Sequence, residues 1–153
     1  MEEVFATLQA VGATNARIDN QMGLAYLERM QPDKAISYFD NAVQVGNENV
    51  FIANRAIALT TLGRFEEAQS AFESCNIDEM GNVYIASYAY TLMKIYQADP
   101  EEVDFNRLIY YLRTAQSGVI PQILGLTKSD LKSVELEVQA KLNDVEAINK
   151  KDR

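Results

Sequence analysis

The sequence of 153 residues contains no histidine and no tryptophan, and its only cysteine is Cys75. Histidine is the commonest general base and metal ligand, so its absence leaves Cys75 without the usual partner of a nucleophile. One cysteine cannot form an internal disulfide, which fits a reducing compartment. Because Cys75 falls on an apolar helical face, we expect a small buried thiol there. Phosphate-loop and calcium-loop patterns are absent too, so we predict no enzyme, no cofactor and no metal site.

Three prolines and seven glycines are few for a chain of this length. Folds rich in β-sheet need many tight turns, so this scarcity favours an all-α protein. No apolar run approaches the roughly 18 residues of a membrane-spanning helix. The N-terminal "MEEVFATLQA" is acidic and lacks the basic start of a secretory signal. We therefore expect no membrane insertion and a cytoplasmic protein, or a periplasmic or envelope-associated one if the chain is a fragment lacking its signal.

Positive charge is also scarce, with 14 Lys and Arg against 22 Asp and Glu and a net charge of −8. Proteins that bind nucleic acid need a basic patch to match the phosphate backbone. The only dense basic group is "NKKDR" at the end of the sequence, where cations suit the negative end of a helix dipole. We therefore expect no nucleic-acid partner.

What the sequence does contain is a repeat, because "NVFIA" at 49–53 returns as "NVYIA" at 82–86, 33 residues later. The apolar residues that follow in both copies are spaced by three and four, which predicts a helix. The segment 16–31 occupies the same register one step earlier, so Gly23, Ala56 and Ala89 align. Small residues at one site in three copies predict that two helices approach closely there.

The segments 32–43 and 65–76 repeat in the same way and predict a second helix in each unit. Their shared positions are Ala35 and Ala68, Phe39 and Phe72, and Ala42 and Cys75. Pro32 suits the first turn of a helix, because no hydrogen bond from its nitrogen is needed there. Gly63 suits the end of a helix and the turn after it. Each unit is therefore predicted to be helix, short turn, helix.

These residues resemble the tetratricopeptide repeat family. The match in the first unit consists of Gly23, Tyr26, Ala35, Phe39 and Ala42, and in the second of Ala56, Gly63, Ala68 and Phe72. The resemblance implies an all-α fold of helix-turn-helix repeats, stacked as a short right-handed solenoid with terminal capping helices. It also implies a concave groove, lined by the first helix of each unit, in which a peptide lies.

The predicted organisation has three parts. Residues 1–14 form an N-terminal capping helix with Val4, Phe5, Leu8 and Val11 on one face. Residues 15–118 form three repeats, at about 16–48, 49–81 and 82–118, and residues 119–153 form a connector and a C-terminal amphipathic capping helix. The third repeat carries an insertion before its second helix, which we expect to open at Pro100 with Asp99 as its cap.

The C-terminal helix has an apolar stripe and a start signal. Thr127 and Asp130 have the spacing of a capping box. The stripe consists of Leu131, Val134, Val138, Leu142, Val145 and Ile148. Such a stripe is typical of a terminal helix that covers the last repeat, and a homodimer through this helix is the alternative.

Function is expected to follow from shape, because the sequence offers no active site. The register of the resembling family places nine residues in the peptide-binding groove: Asn20, Gln21, Leu24, Leu27, Asn54, Ile57, Ser87, Tyr90 and Met93. Among them Leu24, Ile57, Tyr90 and Met93 are predicted to form one exposed apolar strip, which is typical of an interaction site. We expect an adaptor, assembly factor or chaperone-like module that binds a protein or peptide with apolar anchors. The alternative is a structural or oligomerisation module of a larger scaffold or cell-envelope protein, with no free-peptide ligand.

Overall fold

The computed structural model describes residues 2–152, although within α1 it leaves out the side chains of residues 2, 5, 6, 8, 9 and 14. The predicted all-α class is confirmed, because the described residues contain helices and connections but no strand. The helices are α1 (Glu2–Glu28), α2 (Pro32–Gly46), α3 (Asn49–Thr61), α4 (Phe65–Glu73), α5 (Ile77–Met80), α6 (Asn82–Ala98), α7 (Phe105–Gln116) and α8 (Lys128–Lys151). Short 3-10 turns span Pro100–Glu102 and Gln122–Leu124.

The chain divides into two compact units, Met1–Glu79 and Met80–Arg153. The first unit contains α1 to α4 and the second contains α6 to α8. In each unit a helix packs mainly on the next helix of the sequence, α1 on α2, α2 on α3 and α3 on α4 in one, and α6 on α7 and α7 on α8 in the other. In the first unit the connections 29–31, 47–48 and 62–64 are short, which is the arrangement of antiparallel helical hairpins, whereas in the second unit the connections 99–104 and 117–127 are longer.

The N-terminal helix differs from the prediction, because α1 is one continuous helix from Glu2 to Glu28. The expected boundary between a capping helix and a repeat helix near residue 14 falls inside it. No proline interrupts this stretch, and a single glycine such as Gly12 costs only about 1 kcal/mol in a helix. Of the predicted capping face, Phe5 and Leu8 lie outside the described residues, while Val4 and Val11 are 64% and 52% exposed.

The turn between α1 and α2 is a Schellman turn. The N–H of Gln31 donates to the carbonyl of Tyr26 at 2.9 Å, and the N–H of Met30 donates to the carbonyl of Leu27 at 3.0 Å. Met30 itself has φ 58°, in the left-handed region. The helix α2 then begins at Pro32, as predicted.

The turn between α3 and α4 repeats this pattern 33 residues later. The N–H of Arg64 donates to the carbonyl of Leu59 at 2.9 Å, and the N–H of Gly63 donates to that of Thr60 at 3.0 Å. Gly63 has φ 81°, which confirms its predicted role at a helix end. The sequence repeat is therefore also a repeat of backbone hydrogen bonds.

Most equivalent repeat positions are equally buried, and the exception is the pair of Ala42, which has no exposed surface, and Cys75, which is half-buried. Gly23 is buried, and Ala56 and Ala89 have no exposed surface. The same holds for the positions shared by the second helices, which are Ala35 and Ala68, and Phe39 and Phe72. A Cβ added to Gly23 would lie 2.5 Å from Cε1 of Phe39, so α1 and α2 approach too closely there for any side chain. The predicted packing sites are thus in the core of the units.

The third helix pair contains the predicted insertion before its second helix, but that helix begins later than expected. Asp99 caps only the 3-10 turn, by accepting a hydrogen bond from the N–H of Glu101. The helix α7 begins at Phe105, and its cap is Asp104, which accepts from the N–H of Arg107 at 3.0 Å. Two Asp caps lie within one short segment, and the later one opens the longer helix. The α7 face predicted to be apolar is buried, with Leu108, Leu112 and Ala115 each at 0% exposure.

The C-terminal helix α8 packs on α7 through its first half. The predicted capping box is present, with Thr127 accepting from the N–H of Asp130 and Asp130 accepting from that of Thr127. Leu131 and Val138 have no exposed surface, whereas Val145 and Ile148 are 48% and 59% exposed. The predicted stripe is therefore a packing surface only up to about the middle of the helix.

A buried carboxylate fixes α8 against α7. Glu135 is 3% exposed and accepts hydrogen bonds from Arg113 at 3.0 Å and Gln116 at 2.9 Å, with Lys132 at 3.4 Å. Burial by itself raises the pKa of Glu135, but the hydrogen bonds and the positive charge of Lys132 outweigh it, so the pKa lies below its usual value. The carboxylate therefore stays ionised at neutral pH and holds partners on both helices.

Within residues 2–152, none of the helices combines the length and the apolar character that crossing a membrane requires.

Candidate functional site

The nine residues predicted to line a groove differ widely in exposure. Gln21 is exposed, and Leu24 and Tyr90 are half-buried. The other six are at most 6% exposed: Asn20, Leu27, Asn54, Ile57, Ser87 and Met93. The predicted exposed strip is therefore interrupted at Ile57 and Met93, each 5% exposed. The reason lies in the helices themselves, because α3 and α6 are apolar around most of their circumference and are buried accordingly.

In the first unit, two of the predicted groove residues bond to each other. The side-chain amide of Asn54 on α3 donates to the side-chain oxygen of Asn20 on α1 at 2.9 Å, and both residues are buried. A buried amide needs such a partner to offset its desolvation. Asn54 was predicted to line the peptide-binding groove, whereas this contact uses it to join two helices.

The side chain of Ser87 likewise forms its hydrogen bond inside the protein, within its own helix. Its hydroxyl donates to the carbonyl of Val83 at 2.8 Å, and Thr91 in turn donates to the carbonyl of Ser87 at 2.8 Å. Both side chains have no exposed surface. Such bonds satisfy buried hydroxyls on a helix and leave them unavailable to a ligand.

In the second unit, by contrast, two predicted groove residues line an open cleft. Tyr90 and Met93 lie in one wall on α6, and the opposite wall comes from the connector and the start of α8. The cleft has a volume of about 450 Å³, and its lining consists of Tyr90, Met93, Lys94, Gln97, Leu124, Gly125, Leu126, Asp130, Ser133 and Val134. A cleft of this size lies in the range of ligand-binding sites.

The lining of this cleft combines buried apolar side chains with exposed polar ones at its edge. Met93, Leu124 and Val134 are buried at 5–8% exposure, while Gln97 and Asp130 are exposed. The ammonium group of Lys94 lies 5.5 Å from the ring centre of Tyr90, a cation–π contact that leaves the amine at the edge. One edge thus carries a cation and the other a carboxylate.

The carboxylate at the edge is held in place by the capping box. Asp130 accepts from the backbone N–H of Thr127 at 2.7 Å and from its hydroxyl at 3.0 Å. The backbone hydrogen bond, followed by that of the hydroxyl, lowers the pKa of Asp130 below its usual value. Asp130 is therefore a fixed negative charge at neutral pH.

Sequence reasoning missed half of this cleft. The residues Leu124 to Leu126 belong to the apolar connector, in which Gly125 takes a left-handed conformation with φ 65° and ends the 3-10 turn. An apolar run containing a proline and a glycine signals a packed connector. The path of such a connector depends on contacts distant in sequence, so its return to α6 had no local signal.

A second cleft, of about 390 Å³, lies on the first unit and is aromatic. The rings of Tyr26 and Tyr38 stack with centres 5.4 Å apart, and the amine of Lys34 lies 5.6 Å from the Tyr26 ring. Interaction with the neighbouring Tyr26, together with desolvation, raises the pKa of the Tyr38 hydroxyl. The Tyr38 phenol is therefore neutral at physiological pH. The stacked rings fill the space between α1 and α2, which is a common use of tyrosine in helical proteins.

The described residues offer little for chemistry. No group of three or more Cys, Asp or Glu side chains within residues 2–152 could hold a metal ion. Cys75 is half-buried rather than fully buried as expected, and burial raises the pKa of its thiol. Its Sγ lies 3.4 Å from the carbonyl of Ala71, so the thiol is a protonated donor and not a thiolate nucleophile.

Compared with known proteins, the chain matches no family model, no curated protein and no solved structure.

Proposed function

We propose that this chain is a protein–protein interaction module of tetratricopeptide-like helical hairpins, stacked as a short right-handed solenoid, that binds a peptide segment. The repeated turns and the equivalent burial of Gly23, Ala56 and Ala89 support the repeat architecture. The observation that carries the binding function is the open cleft beside α6, because its lining combines buried apolar side chains with exposed polar groups. Sites for peptide side chains combine these properties.

The volume of the cleft is sufficient for a large apolar side chain of a peptide, which would lie against the half-buried Tyr90 and Leu126 beside the small exposed parts of Met93, Leu124 and Val134. Burying such a side chain supplies most of the affinity in peptide recognition, and polar edge groups set its direction. Asp130 would attract a basic residue beside the anchor. The net charge of −8 favours a ligand with positive flanks for the same reason.

A carboxylate-binding mode is less suitable. In the register of the resembling family, the groups that hold a ligand's C-terminal carboxylates fall on Asn20, Leu24, Asn54, Val83 and Ser87. None of these is a cation, and only Asn54 matches. Since Asn54 already bonds Asn20, an acidic tail would lose water without gaining a partner. We therefore propose that the acidic tails of chaperones are not ligands.

The test uses random short peptides displayed on phage, selected on the purified chain and then measured as fluorescent synthetic peptides by anisotropy. Selected peptides should contain an aromatic or aliphatic anchor. Tyr90→Glu should weaken their binding by about tenfold or more, because it places a charge against the anchor. Tyr110→Glu is the matched control, since Tyr110 is 51% exposed on α7 of the same unit and outside the cleft. Equal losses in both variants would contradict the proposal, as would tight binding of a short acidic C-terminal peptide.

A second function, that of a structural or oligomerisation module without a peptide ligand, is favoured by the first unit. There the predicted groove residues Asn20, Asn54 and Ile57 are buried, and the two amides bond each other. The polar groups of these residues therefore need no ligand as a hydrogen-bond partner. A selection that enriches no peptide dependent on Tyr90 would support this alternative.

A further inference from the structure

The outer side of α1 carries an apolar stripe that no part of the first unit covers. Val4, Val11, Ile18 and Met22 are 64%, 52%, 54% and 39% exposed. The core-facing side of the same helix is distinct, because Ala16, Asn20 and Leu27 are at most 6% exposed. Exposed apolar residues that stand singly are ordinary, but these four follow one another along a single helix face.

The spacing of this stripe is that of a coiled coil. Val4, Val11 and Ile18 recur every seven residues, and Asn15 and Met22 fall on the companion positions four residues after Val11 and Ile18. A seven-residue apolar repeat keeps one face turned toward a partner helix along its whole length. A helix that covers only its own core follows a period nearer 3.6 residues and needs no second stripe.

The charges beside the stripe indicate what kind of partner fits. The flanking positions of the described helix are Thr7, Gly12, Asp19 and Gln21, so only Asp19 is charged, in a chain where 24% of residues are. A surface that contacts its own copy across a two-fold axis should carry few charges of one sign near that axis, because like charges placed opposite each other repel. The near-neutral stripe meets this condition in a chain whose net charge is −8.

Asn15 completes the argument for a second copy. It is exposed and stands in the middle of the stripe, where an apolar partner would leave its amide without a hydrogen bond. In a parallel pair of identical helices the same position of both copies meets, so Asn15 would face Asn15, and the two amides can bond each other. A single Asn at such a position fixes register and limits assembly to two strands.

We propose that the chain forms a parallel homodimer through α1, with the stripe of Val4, Val11, Asn15, Ile18 and Met22 as its seam. This inference is independent of the peptide-binding proposal, because α1 contributes nothing to the cleft beside α6. It also differs from a dimer through α8, whose exposed end residues Val145 and Ile148 stand among the charged Asp144, Glu146 and Lys150.

The first experiment is sedimentation equilibrium of the full chain over a range of concentrations. Wild type should dimerise, and Ile18→Glu and Val11→Glu should each weaken the dimer by about a hundredfold or more, because two carboxylates would meet across the axis. Both sites are exposed, so helicity by circular dichroism should be unchanged. Val119→Glu is the matched control, since Val119 is 81% exposed in the second unit. Ile148→Glu tests α8 as the seam. A wild type that remains monomeric, or a dimer that Ile148→Glu abolishes and Ile18→Glu does not, would overturn the proposal.

The second experiment tests the register. In a Cys75→Ser background, Asn15→Cys should form an intermolecular disulfide on mild oxidation. Arg17→Cys lies on the same helix but off the stripe, and it should remain monomeric under the same conditions. Equal cross-linking of the two variants would show random collision and would contradict a seam centred on residue 15.

Discussion

At the turn between α1 and α2 the left-handed position is occupied by Met30, whereas at the equivalent turn between α3 and α4 it is occupied by Gly63. The backbone hydrogen bonds are the same in both turns, residue for residue. A left-handed conformation is easy for glycine and costs other residues about 1 kcal/mol or more. The packing of the helices therefore determines the turn, and glycine only lowers its conformational free energy.

The two hairpins also differ where their helices meet. In the first, the ring of Phe39 lies against the bare backbone of Gly23. In the second, the position equivalent to Gly23 is Ala56, which already carries a Cβ, and the aromatic residue is Phe72. The repeat thus keeps a buried aromatic residue and a buried small residue at these positions, but the small residue is glycine in one hairpin and alanine in the other. Four pairs of matched substitutions test how far the equivalence extends.

The largest effects are expected from the aromatic rings. Phe39→Ala and Phe72→Ala should each cost about 3–5 kcal/mol of unfolding free energy, since both side chains are fully buried. The cost for Phe39 should be the larger, because Gly23 opposite it cannot fill any of the cavity. Urea unfolding followed by circular dichroism measures both. If Phe39→Ala cost much less unfolding free energy than Phe72→Ala, the first hairpin would be the less tightly packed of the two.

The small-residue site should respond in opposite ways. Gly23→Ala should destabilise by about 1–3 kcal/mol despite the better helix propensity of alanine, because the new Cβ overlaps the Phe39 ring. Ala56→Gly should cost only about 1 kcal/mol, mainly through propensity. The same unfolding assay applies. If Gly23→Ala were instead stabilising, the ring would have room to move and the close approach would not be a constraint.

At the left-handed position, substitutions in the two turns should change stability in opposite directions. Met30→Gly should stabilise by up to about 1 kcal/mol by removing the strain of φ 58°, and Gly63→Ala should destabilise by a similar amount. Thermal melting resolves shifts of this size. A Met30→Gly variant that loses stability would mean that the side chain of Met30 contributes more by packing than its conformation costs.

The smallest effect concerns a pair that only the second hairpin has. Arg64 and Glu67 form two hydrogen bonds at 2.8 and 2.7 Å, whereas the first hairpin has Gln31 and Lys34 at these positions. The hydrogen bond from Arg64 lowers the pKa of Glu67. A lowered pKa stabilises the fold above the usual carboxylate range, and this contribution disappears as the pH falls through the pKa of the folded state.

Glu67→Gln should therefore reduce stability slightly at neutral pH, and this loss should disappear as the pH falls through the lowered pKa of the folded state. Lys34→Gln is the control in the first hairpin and should show no such pH dependence. Melting temperatures across this pH range give the comparison. A difference that persisted in acid would exclude the ion pair as its cause.

The parts of the fold that the sequence predicts are those decided by neighbours in the chain. Pro32, Gly63 and the capping box of Thr127 and Asp130 mark helix ends through bonds that span only a few residues. The repeat register adds the buried small and aromatic positions. Where two local signals compete, as at Asp99 and Asp104, periodicity alone does not decide which of them opens the helix.

The candidate site was harder to predict because exposure depends on contacts distant in sequence. The family register brought Tyr90 and Met93 to the cleft, but it assigned Asn54 and Ile57 to a surface although both are buried. A helix that is apolar on several sides carries no mark of which side stays open. The wall formed by Leu124 to Leu126 had no counterpart in the repeat and could not be inferred from it.

The pairing of each helix with its neighbour in sequence has a consequence for the speed of folding. Contacts between neighbours need only short loops to close, and helical proteins with such local contacts fold in microseconds to milliseconds. None of the described peptide bonds is cis, so no slow proline step is built into the native state. We expect each hairpin to form early and rapidly. The late step should be the docking of α8, whose Glu135 must lose its water before Arg113 and Gln116 can replace it.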